Sequence, residues 1–250
     1  MRTADPVPAP VRAGRAWQPP TDVHVTGLDA AGVAVAHALA GAGVRRLALW
    51  DPRPVEPADL GTGLLPGDLG RPRAQALERR LGDVVPGLRV FAHHGPLPVL
   101  VGQATVTVGT ALDADLAAQA LAADHPLLPV LIGPAAVTVG PWCAPGVAGC
   151  PLCRGAADPL ARPVATAGRA RAAGQEVTAR RAVAARPDGA GALLDALTAQ
   201  RAAVLAADAL RAGPSPGVVR ADRATGRTRR TRVRPRAGCA CDPDALGWAL

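Results

Sequence analysis

The chain has 250 residues and a formal net charge of +8; its basic side chains other than histidine are all arginine, and Lys, Asn and Tyr do not occur. That length can bury one good-sized α/β core, no run of about eighteen uncharged apolar residues is present to span a membrane, and the N-terminus lacks a charged-then-apolar signal design; a cytoplasmic protein without a membrane partner is expected. The arginine excess belongs to a wider skew toward Ala, Gly, Pro and Arg that coding pressure explains, so it is not read as a nucleic-acid signal.

In chain order, residues 1–20 are rich in Pro, Ala and Arg without an apolar period and are expected to be a disordered tail. One domain over 21–250 follows. Val23 to Thr26 reads as a short buried strand, Gly27 to Gly32 as a turn, Val33 to Ala42 as a helix and Arg46 to Trp50 as a second strand ending at Asp51. That is a βαβ unit, whose first turn aims backbone N–H groups and a helix N-terminus at a phosphate; an acidic residue about twenty positions on can bind ribose hydroxyls, the place held by Asp51. A helix running to about Leu81 and a strand at Leu88 to Ala92 continue the alternation. His93 and His94 are adjacent, which on a strand aims them to opposite faces, so a strand-end role is expected rather than metal ligation.

Ala104 to Val108 reads as a core strand, Leu112 to Ala123 as an Ala-rich helix capped by Asp113 or Thr110, Leu127 to Ile132 as a buried strand and Val137 to Trp142 as another. The alternation predicts a Rossmann-like, mostly parallel α/β sheet with helices on both faces. Arg154 to Arg186 has weak periodicity. Asp188 is expected to cap an amphipathic helix through Leu193, Leu197, Val204 and Leu210 that ends at Gly213-Pro214, and Val218 to Val233 reads as a β-hairpin turning at Asp222 to Gly226. Charge on an exposed edge explains the arginines of its second strand.

Taken together, Gly27-Leu28-Asp29-Ala30-Ala31-Gly32, the run from Asp51 to Leu60 and Asp68-Leu69-Gly70-Arg71-Pro72-Arg73-Ala74 resemble the ThiF family, the ubiquitin-activating-enzyme-like adenylyltransferases. That family carries Gly-x-Gly-Gly-x-Gly, an Asp-x-Asp run ending in Asn-Leu, and Asp-x-Gly-x-x-Lys-Ala. The resemblance covers roughly residues 22–153 plus a C-terminal cysteine pair. It implies ATP with Mg bound by Gly27, Gly32, Asp51, Asp59 and Arg73, with Arg73 as the catalytic cation in the lysine's place. It also implies a small ubiquitin-like protein or precursor peptide as partner, a homodimer, and a flexible crossover segment over 154–187.

Several positions depart from the pattern. Asp29 and Ala30 replace the middle glycines, and a carboxylate there opposes a phosphate. Arg53 replaces the second acidic residue, Thr62-Gly63 stands where an Arg-Gln belongs, and Thr110-Ala111 stands where a Mg-binding aspartate is due, with Asp113 further on. No cysteine lies between Cys153 and Cys239 to serve as a transfer thiol. Weakened or lost catalysis is therefore expected, with a non-catalytic peptide-binding partner protein of a modified-peptide pathway as the alternative. A nicotinamide-dependent dehydrogenase shares the βαβ unit but finds no Tyr for the usual proton donor.

Cys150 and Cys153 form a CxxC, Cys239 and Cys241 a CxC. Four thiolates in a reducing compartment are expected to hold a structural zinc, with a set of inert buried thiols as the alternative. Cys143 is expected to be a core residue.

Overall fold

The computed structural model describes residues 17–95, 100–157 and 189–241. The expected tail up to residue 16, the crossover segment from 158 to 187 and the cap at Asp188 lie outside them. One eight-stranded sheet organises the chain, in the order β3-β2-β1-β4-β5-β6-β7-β8. Its strands are β1 (Asp22–Thr26), β2 (Arg46–Trp50), β3 (Arg89–Ala92), β4 (Ala104–Gly109), β5 (Leu127–Ile132), β6 (Ala136–Val139), β7 (Gly217–Asp222) and β8 (Thr228–Arg232). β1 to β5 are parallel, and β6, β7 and β8 are added antiparallel.

The sheet's two faces follow from alternation. Val23 and Val25 align with Leu47 and Leu49 on one side and with Ala104 and Val106 on the other, so one face is wholly aliphatic and buried. Helix α1 (Ala30–Gly41), helix α2 (Arg73–Val84) and helix α5 (Gly189–Ala212) supply the residues that cover it. Leu127 and Leu128 are both fully buried yet pack into different clusters, Leu127 joining Leu116 and Ala120 of helix α3 (Ala114–Ala122). Helices therefore lie on both faces, as right-handed crossovers from a reversing strand order require. No helix among the described residues is long and apolar enough to cross a membrane.

Local chemistry explains where elements differ from expectation. Helix α1 starts three residues early because the Asp29 carboxylate accepts the Ala31 and Gly32 N–H groups, making Asp29 its N-cap. Asp113, not Thr110, caps α3 through the Leu116 N–H. Strand β6 stops at Val139, ahead of Gly140-Pro141, where the backbone turns to positive φ and then loses a donor. The CxxC opens helix α4 (Pro151–Ala157), which the sequence did not signal. Trp17, assigned by sequence to the tail, donates to the Leu210 carbonyl and packs edge-on against buried Trp142. Arg201 of α5 donates to the Asp222 and Arg223 carbonyls, and Arg223 reaches back to Thr198 and Asp195, so the hairpin turn is locked to the long helix.

The fully buried Leu47 and the largely exposed Val84 give the packing test. Leu47→Ala is expected to cost about 2–5 kcal/mol in denaturant unfolding, whereas Val84→Ala should stay within about 0.5 kcal/mol.

Candidate functional site

The C-terminal ends of β1 and β2 and the N-termini of α1 and α2 converge on one carboxylate. Gly27 leaves β1 at φ +78°, and a Cβ there would lie 2.0 Å from the Val108 carbonyl oxygen; at Gly32 it would lie 1.9 Å from that of Gly27. Only glycine lets the turn pass this close to β4 and bring α1 against it. The Leu28 N–H then donates to Asp51 Oδ2 at 2.8 Å.

Asp51 is fully engaged. Besides Leu28, it accepts the Arg53 N–H at 3.1 Å, Arg53 Nε at 2.9 Å and an Arg53 terminal nitrogen at 2.7 Å. Four hydrogen bonds saturate the two oxygens of a carboxylate. Arg73 adds charge from 3.7 Å, while its Nε and other terminal nitrogen bind Asp59 Oδ2 at 2.9 Å each. Asp59 Oδ2 also accepts the Glu56 N–H. The cluster Asp51, Asp59 and Arg73 is buried, with the Arg53 side chain forming its exposed lid.

The structure places Gly27 and Gly32 in the turn after β1 and joins Asp51, Asp59 and Arg73 in one charged cluster beside it. What sequence reasoning missed is the pairing inside the cluster. Arg53 was visible as a lost acid, but two residues on in an extended loop it folds back onto Asp51 as a bidentate clamp. The α1 N-terminal donors Ala31 and Gly32 are likewise given to Asp29 at 3.1 Å each, on the ground where an anion would bind. Thr62 holds the Asp59 carbonyl through its hydroxyl, and Asp113 is committed to capping α3.

A second buried carboxylate, Asp68, accepts the Leu65 N–H and is gripped by Arg79 and Arg80 at 3.1 Å. It fastens the loop between β2 and α2 to the body of α2. Burial opposes ionisation of Asp51 and of Asp68. It is outweighed by the Arg53 hydrogen bond and the Leu28 N–H in one, and by the Leu65 N–H and Arg80 in the other, so both carboxyls lie below their ordinary pKa.

At the other end of the chain's contacts, Cys150, Cys153, Cys239 and Cys241 form one cluster with all sulfurs within 4.8 Å of each other. Cys150 lies 3.6 Å from Cys239 and 3.9 Å from Cys153, and Cys153 lies 3.4 Å from Cys241. A tetrahedral Zn–S4 centre with bonds of about 2.3 Å has S–S edges of about 3.8 Å, so the CxC spacing is compatible with one metal. Backbone N–H groups of Cys150 and Arg236 point at Cys241 and Cys153 sulfurs, the outer-shell bonding that thiolate ligands take. Burial pushes the Cys150 thiol up, a cost that a bound cation would offset. Cys143 lies apart in the core, donating to the Ala117 carbonyl. His94 rests against Gln75 beyond the end of β3.

Residues 20–125 match the model of the ThiF family, in accord with the motif order. No curated protein matches the chain. Among solved structures, the fold is similar to the microcin C7 biosynthetic enzyme MccB in complex with N-formylated MccA, with a TM-score of 0.65, 15% identity, and 88% of this chain and 67% of that one covered. It is similar to E. coli MccB with ATP, with a TM-score of 0.62, 15% identity and coverages of 88% and 66%. PaaA gives a TM-score of 0.60, 14% identity and coverages of 85% and 64%. At such identities the likeness is one of fold, and the chain spans about two thirds of the length of these proteins.

Because Asp51 and Asp68 titrate below their unfolded value, the stability they contribute is complete above about pH 4 and is lost as pH falls through their folded pKa values. Asp68→Asn should flatten this acid limb in unfolding measured against pH, and cost about 1–3 kcal/mol at neutral pH.

Proposed function

We propose that this chain is a ThiF-type protein that recognises a peptide or small ubiquitin-like protein and in which ATP-dependent adenylation is weakened or lost. The observation that carries the reading is the Asp29 carboxylate seated on the α1 N-terminus. Adenylation of a carboxylate needs the triphosphate's charge neutralised by backbone donors, cations and a metal held by an aspartate. Here the two α1 donors face an anion of the protein's own. Asp51 has no acceptor position left for ribose hydroxyls, because Arg53 and Leu28 fill them. Arg73 neutralises Asp59 and Asp51, and of its guanidinium donors only the terminal nitrogen 3.7 Å from Asp51 is without a hydrogen-bond partner. These residues do not fit ATP and Mg as arranged, and no chemical step is assigned to them.

A peptide partner is supported by the fold likeness, since the solved MccB structures carry the MccA peptide. Recognition of a chain needs a groove and a rigid frame, not phosphate chemistry. The four cysteines fit zinc, which when bound would act as a structural clamp between α4 and the segment after β8. The homodimer and the cytoplasmic setting belong to the same reading.

Calorimetric titration with Mg-ATP, with pyrophosphate exchange in the presence of candidate peptides, tests it. The parent should show no binding at millimolar ATP and no exchange above background, and Asp29→Gly should raise ATP affinity by about tenfold or more by removing a charge beside the phosphate site. Tight ATP binding with exchange by the parent would sink the proposal. For the metal, elemental analysis should find stoichiometric zinc that Cys150→Ser releases, and chelation should lower the unfolding midpoint, as it does wherever metal binding is coupled to folding.

A further inference from the structure

We propose that the face of β7 and β8 is a binding site for an acidic peptide segment, laid as an extended strand along the outer edge of β8. This rests on the peptide-recognition reading above and names the partner's chemistry. In the antiparallel register Arg220 lies directly opposite Arg229, and Val218 opposite Thr231. These four residues share one face of the sheet, and with Arg154 from α4 they line a cleft of about 300 Å³.

Like charges directly opposite each other on neighbouring strands destabilise a sheet. Protection of an edge against aggregation accounts for arginine on β8. It does not account for Arg220, because β7 is an inner strand flanked by β6 and β8. Among the described residues Arg220, Arg229, Arg230 and Arg232 form no ion pair, and residues 227–241 contain no Asp or Glu. The acid nearest in sequence on that face, Asp222, is turned to the Thr225 N–H and hydroxyl. The arginine pair thus presents uncompensated positive charge that a carboxylate can bridge.

The sheet ends at β8, all five of whose residues are exposed, and among the described residues no strand pairs with its outer side. Such an edge offers backbone donors and acceptors to an incoming strand, with alternate side chains meeting each face. An added strand would extend the row Thr138, Arg220, Arg229 with an acidic side chain beside Arg229, countering the charge of the arginine pair from its outer side. Among the described residues no aromatic ring lines the cleft to stack a base, so the chemistry favours a peptide over a nucleic acid.

The test uses the full chain and a fluorescent peptide alternating Glu and Thr, read by anisotropy at low and raised salt. Saturable, salt-sensitive binding is expected, with Arg229→Glu weakening it about tenfold or more and Arg45→Glu, at the opposite end of the sheet, leaving it unchanged. Because the new carboxylate would face Arg220, Arg229→Glu should keep or raise the unfolding midpoint while binding is lost. A proline-interrupted peptide of the same charge should bind more weakly, since it cannot complete the backbone ladder. Undiminished binding by Arg229→Glu, a lowered unfolding midpoint in that variant, equal binding of the proline-interrupted peptide, or tighter binding of single-stranded DNA of matched charge would each overturn the proposal. Arg229→Glu should leave the Mg-ATP titration unchanged; undiminished peptide binding by this variant while the parent still binds no ATP would overturn this site alone, whereas tight ATP binding with exchange by the parent would overturn the wider reading.

Discussion

The bidentate pair between Arg53 and Asp51 is the interaction on which the candidate site depends. Asp51 closes β2, and its carboxylate ties together the turn after β1 through Leu28, the loop after β2 through Arg53 and the start of α2 through Arg73. A buried carboxylate is costly to leave unpaired, so these partners are as much a condition of folding as a feature of the site. The cluster pairs its charges internally, and one terminal nitrogen of Arg73 is left without a hydrogen-bond partner.

The same logic runs through the neighbouring residues. Asp29 satisfies the α1 N-terminus, Asp59 satisfies Arg73, and Asp113 satisfies the start of α3. Each arrangement stabilises a local element with a side chain that stands near the expected ligand position. The glycine turn, the aliphatic sheet face and the helix contacts do not depend on what the cradle holds. Fold and activity are separable at this level.

The C-terminal half uses charge differently. The four cysteines join α4 to the segment after β8, and Arg201 and Arg223 fasten the hairpin turn to α5. Between these anchors the arginines of β7 and β8 form no ion pair among the described residues, so the hairpin is held in place by its flanks.

What the sequence determined by itself was the element order. Alternation at Val23 and Val25 and at Leu47 and Leu49, the glycine pair at Gly27 and Gly32, the Asp222 to Gly226 turn and the four cysteines each leave a short-range signal, because backbone geometry and side-chain period act over a few residues. Asp51 was marked by its offset within the βαβ unit, whereas Asp59 and Arg73 were singled out only through the motif resemblance. Only the tertiary structure decided which charges neutralise which: that Arg53 folds onto Asp51, that Asp29 spends the α1 donors, that Trp17 docks on Leu210 and that Arg220 meets Arg229 in register. Those pairings join loops or strands whose relative placement is set by packing of the whole sheet, and a one-residue shift in register would have put every one of the hairpin's side chains on the other face.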